Sequence, residues 1–159
     1  MHDFHSRDLR SGRFHETGNY VFVTTNLHNR VPLFNERRFA QIVLNAIGWL
    51  EDNRKIDLII AVLMPNHLHM ILGLEENSLE KVMHSLKSFT SNQINKERGF
   101  RGTVWQSGYF EKIIRGEGHM RELISYCLAN PVKAGLVDTW EEYPYFVRRI
   151  DVEGPTHRG

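Results

Sequence analysis

The apolar residues of this chain change their period along its length, and each change marks an element. Tyr20 to Asn26, "YVFVTTN", is β-branched and aromatic and reads as a strand. After "VPLF", Asn35 stands as an N-cap to "ERRFAQIVLNAIGWLEDN". There Phe39, Ile42, Val43, Ala46, Ile47 and Leu50 recur at helical spacing. "IDLIIAVLM" is apolar enough for a strand buried on both faces. Pro65-Asn66 turns the chain, and "HLHMILGL" is the third strand. Ser78 caps a second helix, "LEKVMHSLKSFTSNQINKE", which Gly99 and Gly102 end. A fourth strand is expected from Tyr109 to Arg115. A third helix follows from Glu117 to Asn130, ended by Pro131. The tail "VKAGLVDTWEEYPYFV" reads as a packed coil with one helical turn.

This β-α-β-β-α-β-α order predicts an α+β fold. Its first six elements are those of a ferredoxin-like split βαβ sandwich, a four-stranded antiparallel sheet with two helices on one face. The third helix, which carries Tyr126, is an addition. The 159 residues make a single domain, 1–159, with an ordered core at about 18–147 and flexible termini.

Composition narrows the class. With 41% hydrophobic and 25% charged residues the chain is ordinary globular protein. No apolar run approaches the roughly 18–20 residues of a membrane span. The N-terminus lacks the apolar centre of a secretory signal, so a cytoplasmic protein is the expectation. The single cysteine, Cys127, excludes an internal disulfide framework and a cysteine-built zinc site. The net charge of +1 is uninformative, but Lys81, Lys87, Lys96, Arg98 and Arg101 face only Glu97 within their window. Such a run is either a solvated helix face or a phosphate-binding strip.

The chemistry gathers around "MPNHLHMI". Residues i and i+2 of a strand share a face, so His67 and His69 project side by side while Leu68 and Met70 point the other way. Two imidazoles at that spacing can hold one metal ion, although such pairs are more often plain hydrogen-bonded histidines. A third ligand is needed. Tyr126 and Asn130, four apart on the added helix, lie on one helical face. Taken alone, Tyr126 reads as a core tyrosine and Asn130 as a helix C-terminal residue. Both readings weaken if that helix lies across the histidine face.

"VLMPNHLHMIL", "VWQSGYFEKIIR" and "YCLANPVKAGLV", in that order, resemble the single-tyrosine transposase family of HUH nucleases, and within it the REP-associated tyrosine transposases. The likeness runs from about Gly18 to Val147. It implies that His67 and His69 are metal ligands, that Tyr126 is the nucleophile, and that Asn130 is the third ligand. Trp105 and Gln106 match a Trp-Gln pair whose role is structural or DNA-contacting. Lys112 departs from the pattern, because many relatives carry histidine there. The implied cofactor is Mg2+ or Mn2+; the two imidazoles lean towards manganese, with zinc possible on affinity grounds.

The implied substrate is single-stranded DNA, recognised as a hairpin such as a palindromic extragenic repeat. Its cleavage would leave a 5′-phosphotyrosine intermediate that is later rejoined, as in DNA transposition and recombination. Candidate DNA contacts are Lys81, Lys87, Lys96, Arg98, Arg101, Trp105, Gln106, Lys112 and Arg115, with Arg7, Arg10 and Arg13 in the N-terminal tail. The protein would be nucleoid-associated when acting on DNA, and a homodimer is possible. Two other readings stay open. One is a single-stranded nucleic-acid-binding module without catalysis, which calls for aromatics on the open sheet face. The other is a metal-dependent hydrolase that uses water and leaves Tyr126 as packing.

Overall fold

The computed structural model describes residues 20–75 and 77–149. The terminal segments, with Arg7, Arg10 and Arg13, lie outside them. In chain order the elements are β1 (Tyr20–Asn26), α1 (Arg37–Asp52), β2 (Ile56–Met64), β3 (His67–Leu74), α2 (Leu79–Arg98), β4 (Phe110–Ile113), α3 (Glu117–Lys133) and β5 (Phe146–Arg148). Short 3-10 turns occupy His28–Arg30, Leu33–Asn35 and Trp140–Glu142.

The sheet is five-stranded and antiparallel, in the order β4-β1-β3-β2-β5. The expected four strands are therefore one too few. The tail read as coil supplies β5, whose Val147 pairs with Ala61 on the open edge of β2. Three residues flanked by Pro144 carry no period of their own. They become a strand because β2 offers unpaired amides and carbonyls.

Alternation along the strands sorts the core into two layers. Val21, Val23, Leu68, Met70 and Leu72 pack with Phe39, Val43 and Ile47 of α1 and Val82, Met83 and Leu86 of α2. On the other face Phe22, Ile60, Val62 and Ile71 pack with Met120, Ile124, Cys127 and Leu128 of α3. A bulge in β2 between Leu58 and Ile60 turns both Ile59 and Ile60 towards α3. The expectation that β2 is buried on both faces holds, since only Asp57 is less than fully buried.

Helix ends follow local chemistry. Ser78 Oγ accepts the Lys81 amide at 3.2 Å, and Gly99 closes α2 with φ +62°, a left-handed turn that glycine adopts without strain. Two ends differ from expectation. Asn35 sits in a 3-10 turn, and Glu36 takes the N-cap position of α1 without a side-chain bond. Pro131 does not end α3, which runs on to Lys133 with Pro131 buried in its last turn. A proline there forfeits one amide bond near a helix end that frays in any case. The fourth strand is also shorter than expected, four residues in place of seven.

Candidate functional site

The site is built on the sheet face that α3 covers. β3 is the central strand. At its start His67 is paired with Asn26 on one side and Met64 on the other, and His69 with Thr24 and Val62. Both imidazoles face α3, while Leu68 and Met70 lie in the opposite layer. His69 is 5% exposed and His67 half-buried.

Hydrogen bonds orient each ring through Nδ1. His67 Nδ1 donates to Asn66 Oδ1 at 2.7 Å, and Asn66 Nδ2 reaches the Arg30 carbonyl at 3.4 Å. This leaves the lone pair of His67 on Nε2. His69 Nδ1 meets the Thr24 hydroxyl at 2.7 Å. A hydroxyl can donate or accept, so His69 presents Nε2 either as an N–H towards His67 or as a second lone pair. The two Nε2 atoms are 3.1 Å apart.

That separation suits a shared ion. Two nitrogens at about 2.1 Å from one metal, at right-angled to tetrahedral positions, stand roughly 3.0–3.4 Å apart. The outer partners, Asn66 and Thr24, are of the kind that fix the tautomer of a ligating histidine. Among the described residues no group of three or more His, Cys, Asp or Glu is placed to hold a metal ion, so an ion on the two histidines would need a third protein ligand of another residue type. Asn130 meets this requirement. Its Nδ2 donates to the Tyr126 carbonyl at 3.1 Å, and its side chain also bonds the His69 ring.

Burial pushes His67 down to about 4, with the nearby Arg30 cation adding to the effect. It pushes His69 down to about 3, with His67 as the second cause and the Asn130 bond working the other way. Both rings are therefore neutral at pH 7, with lone pairs available. The unfolded chain takes up protons near 6.5, well before the folded one does. Stability contributed by the neutral pair is thus lost as pH falls from about 6.5 towards 4 and then 3. Thermal unfolding of metal-free protein should show the melting temperature dropping through that window, with a shallower drop in His69→Asn. Identical slopes in the two proteins would contradict a buried neutral pair.

Tyr126 stands beside this pair on the same chain. Its ring lies 5.5 Å from that of His69 and 6.0 Å from that of Phe22, and it is 45% exposed. Ile124, Cys127 and Leu128 anchor α3 to the sheet and leave Tyr126 on its open flank. The adjacent Cys127 is fully buried and its thiol is pushed up by that burial, so it is no competing nucleophile.

The other predicted residues are more dispersed. α2 packs on the opposite face of the sheet from the histidines, so Lys81 and Lys96 are not brought to them. Arg98 lies at the end of α2 that returns to the Asn26 end of β1, with its guanidinium 4.5 Å over the Phe100 ring; Arg101 is exposed nearby. Lys87 donates to the carbonyls of Gln106 and Gly108 at 2.8 and 2.7 Å, bracing the loop before β4. Trp105 is 5% exposed and donates to Thr90 Oγ1 at 2.9 Å. Gln106 is exposed, and its backbone N–H donates to the Asn26 carbonyl. Lys112 pairs with Phe22 on β4, on the histidine face, and Arg115 is exposed just beyond.

Sequence reasoning missed Thr24, Phe22, Asn66 and Arg30. Thr24 and Phe22 were visible as alternate residues of one strand, but which partner strand they faced was not. Arg30 and Asn29 have φ +52° and +56°, left-handed values that are uncommon outside glycine.

Comparison with known proteins agrees with the resemblance read from the motifs. The family described as "Transposase IS200 like" matches residues 16–129. A REP-associated tyrosine transposase of Escherichia coli (strain K12) is 27% identical over 140 residues, covering 88% of this chain and 82% of that protein. A solved structure of a REP-associated tyrosine transposase bound to a REP hairpin superposes with a TM-score of 0.69. It is 25% identical and covers 82% of this chain and 76% of its own. With its motifs in order and well over half its length matched, the chain belongs to the IS200-like transposase family.

Proposed function

We propose that this protein cleaves and rejoins single-stranded DNA through a covalent 5′-phosphotyrosine on Tyr126, at hairpin-forming repeats. The observation that carries the reading is the convergence of the two Nε2 atoms at 3.1 Å beside an accessible tyrosine whose ring is 5.5 Å from His69. His67, His69 and Asn130 would hold a divalent cation, Mn2+ or Mg2+. Such an ion, when bound, neutralises phosphate charge and eases departure of the leaving oxygen.

The chain's own residues do the rest. Tyr126 Oη attacks phosphorus and loses its proton, the P–O3′ bond breaks, and the freed 3′ oxygen ends as a hydroxyl. The phosphotyrosine keeps the phosphodiester's energy, so attack by another 3′ hydroxyl rejoins DNA and returns Tyr126. Thr24 and Asn66 hold the imidazoles in place throughout. The hairpin preference is supported by the REP hairpin in the related structure. α3 covers the β2–β3 part of the sheet face that a base-stacking module would leave open, which disfavours the non-catalytic reading.

Labelled single-stranded hairpins with unpaired flanks, incubated with the protein and Mn2+, should give a band of protein-plus-DNA mass on a denaturing gel, and a chelator should remove it. Cleaved DNA with no such band would point to attack by water.

A further inference from the structure

β4 is an edge strand, and the face it shares with the site carries an exposed aromatic ring. Phe110 pairs with Thr24, Lys112 pairs with Phe22, and Ile114 packs in the layer beneath α3. Alternation therefore sets Phe110 and Lys112 on the side that holds His67 and His69. Phe110 is 57% exposed, although burial is the default for a large apolar side chain. It lies edge-on to Phe22 at 6.4 Å, and Phe22 in turn stacks on His69 at 5.5 Å with 22° between the planes. The rings of Phe110, Phe22 and His69 thus form one continuous lane that ends at Tyr126. Lys112 places a cation about 6.6 Å further along the strand, on the same side. An open ring followed by a cation is the chemistry of a nucleotide: a base for the ring, a phosphate for the charge.

We propose that Phe110 and Lys112 form a nucleotide subsite that seats the residue next to the scissile phosphate. The base stacks on Phe110, and its phosphate pairs with Lys112. This rests on the reading of the site as a single-strand nuclease. It adds that the strand approaches across the β4 edge, and it names the ring that sets its register.

The test is binding of a fluorescent hairpin with unpaired flanks, followed by anisotropy, with an abasic position walked along each flank. Wild-type protein should lose affinity at one abasic position. Phe110→Ala should bind intact DNA roughly 5- to 100-fold more weakly and be insensitive to that same position. Phe110→Trp should restore both affinity and sensitivity. Lys112→Gln should flatten the dependence of log Kd on log salt by about 0.7. Equal affinity of Phe110→Ala and wild type would overturn the subsite. So would an abasic effect that survives in Phe110→Ala, or a Phe110→Trp variant as weak as Phe110→Ala, which would point to a packing role. These outcomes differ from failure of the underlying reading, in which wild-type protein forms no covalent adduct and binds no single strand, and both proposals then fall.

Discussion

Tyr126→Phe should abolish the covalent protein–DNA band outright and leave the fold nearly untouched. The substitution removes one oxygen from a ring that is 45% exposed, and no hydrogen bond of that hydroxyl contributes to the packing described above. The ring contacts with His69 and Phe22 survive, so the melting temperature should move by no more than about 2 °C, in line with surface substitutions. Cleavage should drop below detection, because a phenylalanine offers no atom to take the phosphoryl group. The denaturing gel and a thermal melt on the same preparation check both halves. Persistent cleavage with an intact melt would leave Tyr126 as a packing residue and make water the nucleophile.

The second large effect concerns stability. Trp105 fills the end of the layer between the sheet and the helix pair. Its ring lies 5.6 Å from Phe34, its backbone bridges Leu27, and its indole N–H donates to Thr90, whose hydroxyl donates to the Leu86 carbonyl. Trp105→Ala empties that space and should cost about 3–5 kcal/mol. Against a total of about 5–15 kcal/mol this is a large share. The melting temperature should fall by roughly 8–15 °C. A fall under about 3 °C would mean that the ring is not the wedge its contacts describe.

Most of the frame was legible because the sequence is locally consistent. "IDLIIAVLM" and "HLHMILGL" are bounded by turn residues, and both strands fall at the positions read from them. The same is true of "YVFVTTN" and of the helix that Ser78 caps. The miss of a whole strand came from a partner distant in sequence. β5 exists through the edge of β2, whereas Pro131 stays helical in the last turn of α3, where it is buried. Within the site, side chains of one strand or one helix were paired by their spacing: His67 with His69, and Tyr126 with Asn130. Contacts that cross between elements were not. The bond from Thr24 to His69 needs the β1–β3 register, and the Lys87 brace needs the path of a loop. Charge patterning was the weakest guide, because α2 takes much of its basic run to the face away from the histidines.

The position of the histidines at the centre of the sheet has a kinetic consequence. β3 is hydrogen-bonded along both sides, so the His69 amide lies inside the sheet, and exposing it to solvent means parting a long ladder in the middle of the fold. β4 is exposed throughout and bonded on one side only. In deuterated water the His69 amide should keep its proton close to the limit set by global unfolding, while those of β4 trade theirs through small local openings. The half of the site that would grip a phosphate is thus the stiff half. The half that would receive an incoming strand is the compliant one, and it can adjust without moving the histidines.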